Sequence, residues 1–484
     1  MNFSNTYINL GARFYEESLP TAAPNPQLFL WNSKLADQLN IPAQLQGDCG
    51  ALAEVFSGNR LFEGAKPVAT AYAGHQFGNF NPQLGDGRAH LLGEAVDQAG
   101  QRWDIQLKGS GPTPFSRGGD GRCGIGPAIR EFIMSEAMQA LGVPTTRCLA
   151  VVTTGEEIYR ETAVPGAVVT RIASSHLRVG TFQFFAARSD LDAIKILSDF
   201  AIERHFPELN NETDNRYLTL LEKVMDKQIN LIIEWLRVGF IHGVMNTDNT
   251  AISGETIDFG PCAMLGIYEP KTAYSSIDQM GRYAFGNQPT IAHWNLARFA
   301  ECLLMLSDKE DTNTFSQVES LINEFPARFK QAYLAMMAKK LGLQTIREED
   351  ENLIGDLMHQ LQTQKLDYTI IFNQLTKSLG SEDINDELHQ QLKEPFAQWR
   401  SRLTGQEMSL EKAQSLMRNN NPVVIPRNHH MEKVLADCQS SGDSKPAELF
   451  LDVLHNPYED TPNSLPYQAP PVDNDQQYQT FCGT

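Results

Sequence analysis

No apolar run in this chain approaches the roughly 20 residues that a membrane-crossing helix needs. The first residues, Met1 to Ser18, lack a basic start followed by an apolar core, and they carry Glu16 and Glu17, so they do not read as a secretion signal. The expectation is a cytoplasmic protein without membrane partners. Cysteine is sparse. The 7 thiols are scattered and contain no C-x-x-C pair, which argues against both a disulfide framework and a structural zinc site. Positive charge is also in deficit, with 40 basic against 59 acidic residues and a net charge of −19. That balance argues against a nucleic-acid partner while leaving room for a local basic pocket. There is no internal repeat, no long low-complexity tract and no G-K-[ST] of a Walker loop.

What is present is enough chain for more than one core. At 484 residues, two lobes are expected. Residues 1–67 mix short helical pieces with Pro-rich loops and read as an N-terminal extension packed on the neighbouring lobe. Residues 68–183 change to strands with glycine turns around Arg88–Leu92, Trp103–Lys108, Leu149–Thr153 and Ala167–Ile172, interrupted by one strong helix from Pro127 to Leu141. Residues 184–405 read as helical, with predicted helices at 190–205, 217–238, 291–306, 316–341 (with a possible break at Pro326), 348–362, 368–379 and 386–403. Residues 406–484 form a C-terminal extension, helical at 410–418 and ending in a Pro-, Asn- and Gln-rich tail expected to be extended. The fold class is α+β, a small β-rich lobe beside a larger helical lobe.

One stretch organises the chain. His242-Gly243-Val244-Met245-Asn246-Thr247-Asp248-Asn249 is followed, nine residues after Asn249, by Asp258-Phe259-Gly260. Asn249 and Asp258 offer hard oxygen ligands suited to Mg²⁺ or Mn²⁺. Residues 250–252 and 256–257 read as strands of a tight hairpin that folds the two ligands back together. Protein kinases use this layout, H-R-D-x-x-x-x-N, then a hairpin, then D-F-G. Counted from His242, the kinase Asn falls on Asn249, but the slot of the catalytic Asp falls on Val244, which accepts no proton. A carboxylate appears instead at Asp248. By spacing, the base is moved or the chemistry changed.

Other residues supply the parts of a phosphate site. Gly85, Gly87 and Arg88 open a strand and read either as a phosphate contact, where glycines allow close backbone approach and the guanidinium binds phosphate oxygens, or as a plain hairpin turn. Lys108 ends an alternating strand, and its expected partner is Glu131 rather than Glu136 on the helix after Pro127. Residues 118–126 are the most glycine-dense stretch and read either as a mobile flap in which Asp120 and Gly121 contact nucleotide or as a flexible connector. Arg171 and Arg178 read either as a triphosphate clamp or as ordinary surface arginines. His242 reads as a brace of its loop, and His429 with His430 as a solvated turn.

Taken together, these residues resemble the selenoprotein O, or YdiU, family of protein adenylyltransferases. The strings that carry the resemblance are Gly74-His75-Gln76-Phe77-Gly78, Leu84 to Arg88, Gln106 to Arg117, the His242 stretch, Asp258 to Pro261, Gly281-Arg282-Tyr283 and Asn421 to His429. The resemblance implies a protein-kinase-like fold. It also implies ATP bound inverted, so that AMP passes to Ser, Thr or Tyr hydroxyls of protein substrates with release of pyrophosphate, and UMP from UTP by extension. It assigns nucleotide contacts to Gly85, Gly87, Arg88, Lys108, Asp120, Gly121, Arg171, Arg178 and Asp258, metal ligation to Asn249 and Asp258, proton acceptance to Asp248, and a supporting ion pair to Glu131. A monomer is expected. A kinase-type phosphotransferase and an ATP-binding scaffold without activity remain the alternatives. Where many relatives carry selenocysteine, this chain has Cys482, which excludes selenium chemistry; Cys262 is the thiol to test as its partner.

Overall fold

The computed structural model describes residues 3–211, 215–307, 312–380, 385–475 and 477–481. The strands run in chain order as β1 (Phe3–Ser4), β2 (Tyr15–Glu17), β3 (Gln27–Trp31), β4 (Val68–Thr70), β5 (Gly74–Gln76), β6 (Asn79–Asn81), β7 (Ala89–Val96), β8 (Arg102–Lys108), β9 (Cys123–Gly124), β10 (Arg147–Tyr159) and β11 (Ala163–Ala173). Nine of them form one sheet, in the order β2-β4-β7-β8-β11-β10-β3, with β1 on β7 and β9 on β11. β5 and β6 form a separate antiparallel hairpin. Residues 1–67 therefore do more than pack on the sheet, because they contribute three of its strands.

Side-chain alternation divides the sheet into two faces. Ile105 and Leu107 of β8, with Val168 and Ile172 of β11, point to a core shared with Leu35, Leu52 and Phe56 of the N-terminal helices. Gln106, Lys108 and Arg171 point the other way, and Arg171 lies directly opposite Gln106 in the β8–β11 register. That second face is covered by the helix Ile125–Ala140, which is buried almost all round. A helix in that position carries acidic residues only if they are paired. Glu131 meets Lys108, and Glu136 meets the Arg147 guanidinium at 2.5 and 2.6 Å.

The remainder is largely helical, so the architecture is mixed α/β. The helix Arg216–Val238 sets its apolar stripe, including Leu221, Val224, Ile232 and Trp235, against the core. Gly239 ends it in the left-handed conformation at φ 79°. Phe240–Ile241 then pairs antiparallel with Ala263–Met264, so the ends of the 242–262 stretch are held side by side.

The structure corrects four expectations about helices and strands, and a further one about the tail. First, residues 250–252 and 256–257 do not pair with each other. Their backbone groups are taken by preceding segments: Ile252 N–H donates to Leu177 O, Val179 N–H to Thr250 O, Thr256 N–H to Pro144 O and Thr146 N–H to Thr256 O, all at 2.9–3.0 Å. Runs this short gain more from an existing framework than from a two-stranded ladder. Second, Thr312–Lys340 is one helix straight through Pro326. The carbonyl that proline leaves without a partner, Ile322 O, instead accepts from the His293 ring at 2.9 Å. Third, the helix expected at 386–403 is two, Asn385–Leu392 and Glu394–Thr404, parted at Lys393 (φ 55°) ahead of Pro395. Fourth, His429 and His430 sit in a helix, Asn428–Ser441, rather than on a turn. That helix and Lys445–Leu454 pack on Ile125–Ala140.

The tail from 456 on is not simply extended. Leu465–Tyr467 is a 3-10 turn, and the Thr480 hydroxyl donates to Pro261 O at 2.7 Å. No helix among the described residues is long and apolar enough to cross a membrane.

Candidate active site

A cleft of about 540 Å³ opens between the sheet and the 242–262 stretch. Of the residues expected at the site, Gly85, Gly87, Arg88, Asp120, Gly121, Asp248, Asn249 and Asp258 line it together. Lys108, Glu131, Arg171 and Arg178 are buried behind that lining.

The floor is an ionic cluster. Lys108 Nζ lies 2.7 Å from Glu131 Oε2 and contacts Asp258 Oδ1. Arg171 approaches the same two carboxylates, at 3.5 Å from Glu131 and 3.9 Å from Asp258, and is itself held by the Gln106 side chain. Burial works to raise the Asp258 carboxyl, but Lys108, Arg171 and Arg88 outweigh it and hold the group far below the usual carboxylate range. Burial likewise works against the Lys108 ammonium, and Asp258 with Glu131 outweighs that too, so the lysine stays charged. Asp258 adopts φ 67°, the left-handed region, and its side chain is 30% exposed toward the cleft.

Asp248 is built in the opposite way. It sits on the 3-10 turn Thr247–Asn249 with its carboxylate buried. Gln76 Nε2 donates to Oδ2 at 3.3 Å, while Oδ1 is buried without a hydrogen-bond partner. Gly74 leaves no room for a side chain, since a Cβ there would lie 2.2 Å from Oδ1. Burial pushes the carboxyl up from 3.8 to about 6, against the lowering effects of hydrogen bonds and Arg178. The cleft thus holds one carboxylate that neighbouring cations keep in its ionised form and one that burial pushes toward its neutral form, the kind of divergence that suits two carboxylates to different chemistry.

The β5–β6 hairpin clamps this stretch. His75 N–H donates to Thr247 Oγ1 at 2.7 Å, and that hydroxyl donates to Gln183 Oε1 at 2.6 Å. Phe77 N–H and the Tyr283 hydroxyl both donate to Asn246 Oδ1, at 3.2 and 2.7 Å. His242 braces from beneath, its ring bonding Ile257 O at 2.9 Å and accepting from Val244 N–H at 3.3 Å. Val244 itself lines the cleft and contributes no proton acceptor.

Arg178 is no surface arginine. It donates to the backbone carbonyl of Asp248 at 3.0 Å, lies 4.4 Å over the Tyr72 ring, and has Nε and Nη2 buried without hydrogen-bond partners. On the flap, Asp120 is bound by Arg160 at 2.7 and 3.1 Å. Two glycines, Gly85 ahead of β7 and Gly121 on the flap, owe their identity to local packing as much as to any ligand. At Gly85 (φ 71°) a Cβ would strike the Phe115 ring, and at Gly121 (φ 66°) the backbone of Gly111.

Two oxygen-bearing side chains that line the cleft, Asn249 and Asp258, could hold a metal ion. Asn249 spends its amide N–H on Val244 O at 3.0 Å, which leaves the amide oxygen as its ligand atom. No group of three or more His, Cys, Asp or Glu side chains able to hold a metal occurs among the described residues. Two oxygen donors suit a hard divalent ion that takes its remaining ligands from substrate phosphates and water.

Sequence reasoning missed Gln76, Tyr72, Arg160, Asn246 and Tyr283 as parts of the site; the signals were the strings that contain Gln76, Asn246 and Tyr283, and nothing marked Tyr72 or Arg160. Of the cysteines, six are described, all free thiols, and burial pushes Cys262 up to about 12. Cys482 lies outside the described residues.

Known proteins share this chain from end to end. The family model described as protein adenylyltransferase SelO matches residues 1–455. A protein nucleotidyltransferase YdiU of Teredinibacter turnerae is 55% identical over 485 residues, covering 100% of both chains. Proteins of the same name from Anoxybacillus flavithermus and Rhizobium johnstonii are 50% and 49% identical, covering 100% of this chain and 99% and 97% of theirs.

Proposed function

The chain belongs to the SelO family of protein adenylyltransferases, and from that premise we propose that it transfers AMP from ATP to Ser, Thr or Tyr hydroxyls of protein substrates. The observation that carries this reading is the buried Asp248 carboxylate with an unpartnered Oδ1, in a cleft where Val244 occupies the slot of a kinase base.

The acceptor hydroxyl gives its proton to Asp248 as its oxygen bonds to the α-phosphorus. The bond from that phosphorus to the bridging oxygen of the β-phosphate breaks, and pyrophosphate leaves with the electron pair. Lys108, Arg171 and Arg178 are fixed cations that neutralise charge on the triphosphate, at positions set before substrate arrives. Asn249 and Asp258 would hold Mg²⁺ or Mn²⁺, which supplies Lewis-acid stabilisation of the phosphoryl oxygens. The strand Lys, helix Glu and D-F-G Asp joined in one cluster support a kinase-like layout, with a β-rich lobe at 68–183, a helical lobe at 184–405 and extensions at either end. UMP transfer from UTP uses the same parts.

The test is ATP labelled at either the α- or the γ-phosphate, incubated with protein substrates and Mg²⁺ or Mn²⁺. Label retained from the α-position alone is expected. Label from the γ-position assigns a phosphotransferase, and no label from either assigns a scaffold.

Gln76 gives an independent check. Its hydrogen bond favours the ionised form of Asp248. Gln76→Leu is therefore expected to move the acid limb of the kcat/KM profile to higher pH, with the larger loss at pH 6 than at pH 8. An unmoved limb removes Gln76 from the site's electrostatics.

A further inference from the structure

Residues 275–283 form a turn that is hydrogen-bonded inside and exposes Ile277, Gln279 and Met280 outside. Buried Asp278 accepts from the backbone N–H groups of Arg282 and Tyr283 at 2.8 and 2.7 Å, and its carbonyl accepts from Gly281 N–H at 3.1 Å. The Tyr283 hydroxyl ties the turn to Asn246, two residues before Asp248. On the outer side, Ile277 is 55% exposed and lines the cleft, and Met280 is 93% exposed. The tip of the β5–β6 hairpin stands alongside, with Gly78 against the Arg282 guanidinium and Phe77 5.0 Å from the Tyr283 ring. Phe80, 42% exposed, packs its ring at a tilt against His75, with centroids 4.8 Å apart.

Folding alone does not account for this. A buried carboxylate is used to hold a turn that presents Ile and Met to water, where their burial gains nothing. A nucleotide in the cleft does not account for Met280, which stands outside the lining. We propose that the 275–283 turn and the hairpin tip form a docking rim for the acceptor polypeptide, and that the rim engages a bulky apolar side chain close in sequence to the hydroxyl that receives AMP. This rests on the AMP-transfer reading above. A polypeptide is the occupant that fits because the rim is continuous with the wall that carries Gln76 and Asp248. Ile277 lines the same cleft as Gln76 and Asp248, so a segment whose hydroxyl lies at Asp248 has Ile277 beside its path, with Met280 three residues further along the turn.

The experiment uses the full chain, α-labelled ATP, and peptides identical except for Leu or Phe against Ser or Gly on either side of one acceptor hydroxyl. Wild type is expected to modify the apolar-flanked peptides with about tenfold higher kcat/KM. Met280→Asp should reduce the preference to about twofold or less, and Met280→Leu should retain it. The dissociation constant for ATP should stay unchanged in both, since Met280 stands outside the nucleotide cleft. Peptides modified without flank preference, or a preference that survives Met280→Asp, overturn the rim and leave AMP transfer standing. A dimer that Met280→Asp dissociates, without flank preference, assigns the rim to a second copy of the chain and overturns the proposal. No α-label on any acceptor while ATP still binds overturns AMP transfer itself, and the rim with it.

Discussion

Asp248→Asn is expected to lower AMP transfer by about 10³-fold while leaving ATP affinity nearly unchanged. The substitution keeps shape and removes proton-accepting capacity. The backbone of residue 248 still receives Arg178, so the arginine stays in place and the nucleotide keeps its cations. In wild type, kcat/KM should rise with pH through the Asp248 pKa of about 6, because only the ionised carboxylate accepts the hydroxyl proton. The same group predicts a stability effect of definite sign. Its folded-state pKa lies above the ordinary value of 3.8, so folding favours its protonated form. Stability held below pH 4 is lost as pH rises through 6, by up to about 3 kcal/mol. Asp248→Asn should therefore raise the thermal midpoint at pH 7.5 and change it little at pH 4. Transfer at wild-type rate in the variant removes Asp248 as the base, and an unchanged midpoint at both pH values removes the burial argument.

The two cleft carboxylates also show what a sequence can and cannot disclose. Asn249, Asp258 and the displaced Asp248 are legible because a short loop constrains spacing. The Lys108–Glu131 pair is legible because strand alternation and a proline-started helix fix which side chains face each other. The second half of the hairpin reading failed at the step where local pattern gives way to tertiary competition. Residues 250–257 have strand composition, but their hydrogen-bonding groups are claimed by residues 144–146 and 177–179, which no local rule identifies. Gln76 and Arg178 were hard to weigh for the same reason, since their roles depend on partners 172 and 70 residues away. Pro326 is the converse case. A helix-breaking residue is accommodated because a histidine on another helix bonds the orphaned carbonyl. The net charge of −19 likewise hides a cleft bordered by Arg88, Arg117, Arg122 and Arg160. In an acidic protein, such a pocket concentrates the field on an anionic nucleotide.

Asp258→Asn is the second substitution with a large expected effect, a loss of about 10³-fold or more in AMP transfer. Asparagine tolerates the left-handed backbone at φ 67° that this position requires, so the change isolates charge from conformation in a way that alanine does not. Removing the carboxylate leaves Lys108 and Arg171 sharing Glu131 alone, and it deprives a bound divalent ion of its only anionic protein ligand among the two donors. Unlike Asp248→Asn, this variant should lose metal-dependent ATP binding as well as turnover, a contrast that calorimetry with and without Mg²⁺ or Mn²⁺ resolves. The stability effect also reverses in sign. The folded-state pKa of Asp258 is depressed, so its stabilising contribution is present above the unfolded value near 3.8 and is lost only as pH falls below it. Asp258→Asn should therefore lower the thermal midpoint at neutral pH, with the difference from wild type shrinking as pH drops below 4. A variant that binds metal and ATP as wild type does would place the divalent ion elsewhere and leave Asp258 as a partner of Lys108 only.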